Sequence, residues 1–201
     1  MRGLRVEVDP GPITGIVADT VVVPIPTSER PLRGDAGRLD WRMCGRISEE
    51  ILAGNLSGFA HEAVLIAGRP PLRAPRVMLL GIGSSAGLPG RGVQDAFRDL
   101  TQRLLGLCSR RALVAMPRAI DLGQDALPAL RGCLHGVSTS REEVTLRLVL
   151  SGALPLLQSL HTALDELQEE ADRRGVHVHV DAAPADVSPD PVAPPVPGSA
   201  S

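Results

Sequence analysis

The chain has no lysine and no tyrosine: its 21 basic residues are all arginine, and one tryptophan and two phenylalanines are its only aromatics in 201 residues. Without lysine, no amine nucleophile, Schiff base or lysine metal ligand is available. The scarcity of aromatics removes a stacking platform for unpaired bases, and a formal charge of −2 with a pI near 6.2 gives no basic field for nucleic acid. No apolar run approaches the roughly 20 residues of a membrane span, and the opening MRGLRVEVDPG lacks the core of a signal peptide. The expectation is a cytoplasmic protein that engages neither membrane nor nucleic acid. Cysteine is also scarce. Cys44, Cys108 and Cys133 are odd in number and far apart, each falls in a segment read as helical, and all are expected to be small buried hydrophobes.

What is present is apolar content of 43%, enough for one core, so the reading is a single domain over residues 1–181 and a disordered Pro/Ala/Ser-rich tail over 182–201. The organising unit spans residues 20–54. Thr20 to Val23 with Ile25 form a short β-branched run suited to a strand buried on both faces, with Pro24 and Pro26 expected to stop it. Leu39, Met43, Ile47 and Ile51 then recur every four residues, predicting one amphipathic helix with Asp35 as its N-cap and Gly54 at its end. Further strands are read at 3–8 (near an edge), 63–68, 76–83, 112–117, 144–150 and 176–180, and further helices at 93–108, around Leu127 to Leu134, and from Leu157 to Gly175. Interleaved in this way, they predict a three-layer α/β/α domain with a mixed sheet of about 6–7 strands and about 4 helices.

Several clusters invite a chemical reading. GIGSSAG at 81–87 follows a strand and precedes a helix, and Gly81, Gly83 and Ala86 fit the spacing of a dinucleotide-binding turn. Pro89 and Gly90 delay the helix, however, and no acidic residue tips the next strand. An anion-cradling loop of another kind, or an ordinary turn, fits as well. His177, His179 and Asp181 alternate on one face of the last strand and are weak candidates for metal ligands. His61, His135 and His161 are isolated, without a paired nucleophile, and read as structural. Ser84 and Ser85 lack the elbow motif that presents a nucleophile, and the acidic run from Asp165 to Asp172 reads as a solvated helix face.

Taken in order, DTVVVPI, GDAGRLDWRMCGRISEEILAGNLSGFAHEAVLIAG, APRVMLLGIG and ALVAMP resemble the N-terminal domain of the leucyl aminopeptidase family over about residues 5–120. The resemblance implies a macro-domain-like fold, which in full-length members precedes a catalytic domain holding two metal ions, usually zinc, and helps build the oligomer. GDAGRL at 34–39 only echoes that domain's N-T-D-A-E-G-R-L signature, and no lysine exists here to serve it. No catalytic residue is carried over, and no cofactor is expected. The first functional expectation is a stand-alone, non-catalytic homologue acting through oligomer assembly or docking to a protein partner, which could be a peptidase. The alternative is a macro-type module for ADP-ribose or a related nucleotide, held by the loops after two strands: Thr27, Ser28, Asp35 and Gly37 in the first, Gly83, Ser84, Ser85 and Gly87 in the second.

Overall fold

The second strand of the chain lies at the heart of a seven-stranded sheet. The computed structural model describes residues 2–9, 13–84, 90–115, 122–140, 145–151 and 154–182. Its strands are β1 (Arg2–Asp9), β2 (Thr20–Pro26), β3 (Ala63–Ala67), β4 (Arg76–Gly83), β5 (Arg111–Val114), β6 (Thr145–Ser151) and β7 (Val176–Ala182), in the order β3-β4-β2-β5-β6-β1-β7. Only β3 runs antiparallel to its neighbour. Every residue of β2 is buried, as a β-branched run between two layers requires.

Alternate residues of the strands feed two cores. Leu4, Val6, Val22, Met78, Leu80, Val114 and Leu148 point to one face and pack with α3 (Arg91–Gly106), α4 (Leu122–Ser138) and α5 (Leu154–Arg174). Val21, Val23, Ile25, Val77, Leu79, Leu113 and Val149 point to the other. That second face is covered by α1 (Gly34–Arg42), α2 (Arg46–Leu52) and the crossover carrying Ile13 and Ile16. The expected three-layer mixed-sheet architecture is therefore observed, with seven strands and five helices among the described residues.

Five local readings are corrected. Pro24 and Pro26 do not stop β2, which runs through both. Ala115 donates its N–H to the Val22 carbonyl at 2.8 Å, and the β5 ladder ends at Val22↔Val114, so Pro24, facing the same side beyond it, removes no bond from that ladder. The 35–54 helix is two helices, because Cys44 (φ 57°) and Gly45 (φ 80°) turn left-handed between them. Asp35 sits in the first turn of α1, whose N-cap is Arg33. β1 is interior, paired with β6 and β7; it alternates in sequence because one of its faces carries charge instead of meeting a helix. Cys44 and Cys108 are exposed turn residues with positive φ, and only Cys133 is buried, where desolvation pushes its thiol up to about 12.

Two of the histidines find carboxylates that the fold supplies. His61 Nδ1 lies 3.7 Å from Asp99 of α3, and His135 Nε2 lies 2.8 Å from Glu170 of α5, while His161 Nε2 is bonded to the Val180 carbonyl at 3.0 Å. Asp165, Glu166, Glu169 and Asp172 are exposed as read, but Glu170 turns inward and joins α5 to α4 through His135 and through Arg131 at 3.2 Å, and also pairs with Arg174 of its own helix at 3.1 Å. The hydrogen bond from His135 holds the Glu170 carboxyl below its ordinary value, opposed by partial burial and aided by Arg174. A carboxylate depressed in the folded state stabilises fully above its unfolded pKa, and that contribution is lost as pH falls through the folded pKa. Glu170→Gln is accordingly expected to cost about 1 kcal/mol at pH 7, and urea unfolding in acid should bring variant and parent together.

Candidate functional site

Parallel pairing of β2 with β4 places their C-terminal ends side by side, the position at which α/β sheets build sites. The Thr27 N–H donates to the Gly83 carbonyl at 2.9 Å, so the two sequence-predicted loops start in contact. They then diverge onto two cavities. Gly83 and Ser84 line one of about 260 Å³, together with Ala60, His61, Asp95 and Asp99. Gly37 lines another, an open cleft of about 730 Å³ shared with Pro31, Asp40, Trp41, Arg42 and Cys44. Ser28 is exposed on the intervening loop, Asp35 pairs with Arg38 at 3.3 Å, and Ser85 and Gly87 lie outside the described residues.

The glycines of the second loop are occupied by the fold itself. A Cβ at Gly81 would stand 2.0 Å from the Phe59 carbonyl oxygen, and the Gly81 N–H donates to the Glu62 carbonyl at 2.8 Å. Gly83, at φ 83°, donates its N–H to the Gly58 carbonyl at 2.8 Å. The amides of Gly81 and Gly83 are thus both bonded within the protein. The cavity beyond them is walled by carboxylates: Asp95 pairs with Arg98 at 3.0 Å, and Asp99 with Arg103 at 3.0 Å and with His61. Arg103 also donates to the His61 carbonyl at 2.6 Å, which ties the segment before β3 to α3.

The larger cleft is organised by Asp40, a residue the sequence reading passed over. It is 9% exposed, and its Oδ1 accepts the backbone N–H groups of Ile47 at 2.8 Å and Ser48 at 3.0 Å, while its Oδ2 accepts the Ser48 hydroxyl. These are the N–H groups that the first turn of α2 leaves open, and the N-cap itself is Gly45 with no side chain to serve them. Asp40 therefore caps α2 from the end of α1 and holds the two helices as one unit. Beside it Trp41 is 75% exposed, with the Arg42 guanidinium 5.6 Å from the centre of its ring.

At the far edge, His177, His179 and Asp181 do share one face of β7, but Asp181 is taken by Arg5 at 2.9 Å and His179 at 2.8 Å, and no group of three metal-ligating side chains occurs among the described residues. The same face carries Glu7, whose carboxylate is 4% exposed. It pairs with Arg147 at 3.1 Å and has Arg5 and Arg111 each at 3.9 Å. Glu7 Oε2, Arg5 Nε and Arg111 Nε are buried without a hydrogen-bond partner among the described residues. Glu7 and Asp40 were missed because their partners come from other elements, and neither belongs to a local motif. The one sequence signal for Glu7 was its place between Val6 and Val8, where a solvated strand face would not bury it.

A sheet of this order between two helical layers is the architecture of the macrodomains. An Oceanobacillus iheyensis macrodomain mutant with ADPR aligns with a TM-score of 0.60 at 14% identity, covering 82% of this chain and 94% of that one. A tomato leucine aminopeptidase mutant aligns with a TM-score of 0.59, also at 14% identity, over 80% of this chain and 35% of that one. At that identity the likeness speaks for the fold. Residues 22–141 match the model of the Cytosol aminopeptidase family, N-terminal domain, and the chain belongs to that family. Among its relatives are probable cytosol aminopeptidases of Pseudomonas fluorescens strain SBW25 (32% identical over 97 residues, 48% of this chain) and Alkaliphilus oremlandii (27% over 130 residues, 64% of this chain). The chain spans 20% and 25% of the lengths of these two relatives.

Removing the Asp40 carboxylate should unmake the α1–α2 unit. Asp40→Ala is expected to lower stability by about 2 kcal/mol, and Asp40→Asn by less because its amide oxygen still accepts, as measured by urea unfolding.

Proposed function

We propose that this domain works without catalysis, as an assembly module that associates with itself or docks a protein partner, a peptidase being the kind its family suggests. The observation that carries this reading is the placement of the aromatics. A chain with three aromatic residues leaves Trp41 75% exposed and Phe59 64% exposed, with Leu52 at 87% and Leu65 at 49%, while its cores are built almost wholly from aliphatic side chains. Large apolar groups in water gain by being covered, and Trp and Arg side by side are the residues that most often anchor protein interfaces. The cluster around Glu7 points the same way, since buried polar atoms without partners are costly until something pairs with them.

Trp41 is the only tryptophan, so intrinsic fluorescence reports on this surface alone. Raising the protein concentration, or adding a purified cytosol aminopeptidase, should give a heavier species in sedimentation velocity and shield Trp41 from acrylamide quenching. A strictly monomeric protein that leaves the peptidase unbound and Trp41 fully quenchable would defeat the proposal.

A second reading, a macro-type site for ADP-ribose or a related nucleotide, is supported by the contact between Thr27 and Gly83 and by the cavity at the end of β4. Its acidic walls disfavour a diphosphate. On this reading ADP-ribose raises the thermal midpoint in proportion to occupancy, and Gly83→Val abolishes the rise. A midpoint unmoved by ADP-ribose discards it.

A further inference from the structure

The edge strand β3 has the properties of half a two-fold interface. Its hydrogen-bonded pairs with β4 include Glu62 with Gly81 and Gly68 with Pro75, judged by the Gly81 N–H donating to the Glu62 carbonyl at 2.8 Å and the Gly68 N–H to the Pro75 carbonyl at 2.9 Å. Antiparallel ladders alternate, so Val64 and Ile66 also turn their backbone groups toward β4. Ala63, Leu65 and Ala67 turn theirs outward, and among the described residues nothing pairs with them. All three are exposed, Leu65 at 49%. None of the usual protections is present within the strand: no charge, no proline, no bulge.

We propose that a second copy of this chain pairs here, antiparallel, across a two-fold axis through Leu65, extending the sheet from one molecule into the next. This rests on the assembly reading above and names its surface. An isologous contact demands self-complementarity, and the strand is close to a palindrome in size: Ala63, Val64, Leu65, Ile66, Ala67. Centred on Leu65, the pairing sets Leu65 against its own copy and Ala63 against Ala67, so that the outward N–H groups of each copy meet the outward carbonyls of the other. Val64 and Ile66, half-buried on the α1–α2 side, then face each other's copies and continue that core across the axis. Charge agrees with the direction. The strand is entered by Glu62 and left by the exposed Arg69 and Arg73, so antiparallel pairing brings the acidic end of each copy to the basic end of the other. A parallel arrangement would set like charges together.

The register makes the proposal testable by crosslinking. In a hydrogen-bonded antiparallel pair the Cα atoms stand about 5.5 Å apart, within the span of a disulfide. With Cys44→Ser and Cys108→Ser as background, Leu65→Cys should yield a covalent dimer on mild oxidation. Ala63→Cys should not, since the two copies of that position lie four residues out of step, about 13 Å along the strand. Separately, Leu65→Lys should weaken self-association at least about tenfold in sedimentation equilibrium, with circular dichroism and thermal midpoint unchanged. Equal crosslinking at both positions, or none at 65, overturns the pairing. An oligomer indifferent to Leu65→Lys also overturns it while leaving the assembly reading in place. A protein that is monomeric at every concentration overturns the pairing, and only peptidase binding then keeps the wider reading.

Discussion

Burial of β2 on both faces is the constraint on which the rest of the molecule depends. Seven consecutive residues without exposed surface can exist only if helices lie above and below and strands lie on both sides. Val21, Val23 and Ile25 serve one core and Val22 the other, so a one-residue slip would exchange the two sets. The start of the strand is pinned by Asp19, whose carboxylate accepts the backbone N–H groups of Arg110 and Arg111, each at 2.9 Å, while its own N–H donates to the Arg111 carbonyl at 2.9 Å. The β2–β5 ladder therefore enters in register, and at the other end of β2 the loops after β2 and β4 are brought into contact.

Among the described residues the two faces of the sheet are not equally covered. On one side α3, α4 and α5 reach from β4 to β7. On the other, α1, α2 and the crossover through Ile13 and Ile16 protect the strands from β3 to β6. Beyond them β1, β6 and β7 hold Arg5, Glu7, Arg147, His179 and Asp181 where a helical layer would demand apolar side chains. The arginines lie over the Glu7 carboxylate and exclude water from it without fully satisfying it.

Most of the fold was legible in the sequence because it rests on periodicity. Strand alternation, the four-residue stripes of the helices and Gly175 at the end of α5 are local signals. What escaped was set by contacts distant in sequence. The stripe Leu39, Met43, Ile47, Ile51 continues in phase across the α1–α2 break, so only the left-handed Cys44–Gly45 turn, made tolerable by Asp40 reaching across to cap α2, could reveal two helices. Pro24 read as a stop because the length of the β5 ladder is invisible from β2 alone. The candidate ligand residues were chosen by analogy of loop position. That analogy conveys where loops begin, as Thr27 and Gly83 show, but not where their side chains end, since Gly37 and Gly83 line different cavities.

The polar groups at the end of the sheet argue about chemistry by how they are spent. A site that cradles a phosphate needs amides and cations left open to it. Here the Gly81 and Gly83 amides are consumed by the segment before β3, the Gly90 amide by Asp125 at 3.0 Å, and Arg98 and Arg103 by the carboxylates beside them. Of the described carboxylates, Asp40 caps α2, while Asp19, Asp99 and Glu170 join elements distant in sequence. Among the described residues, the large apolar groups left in water are peripheral, and they include an exposed indole at Trp41, an exposed leucine at the end of α2 and Leu65 on the open edge of β3.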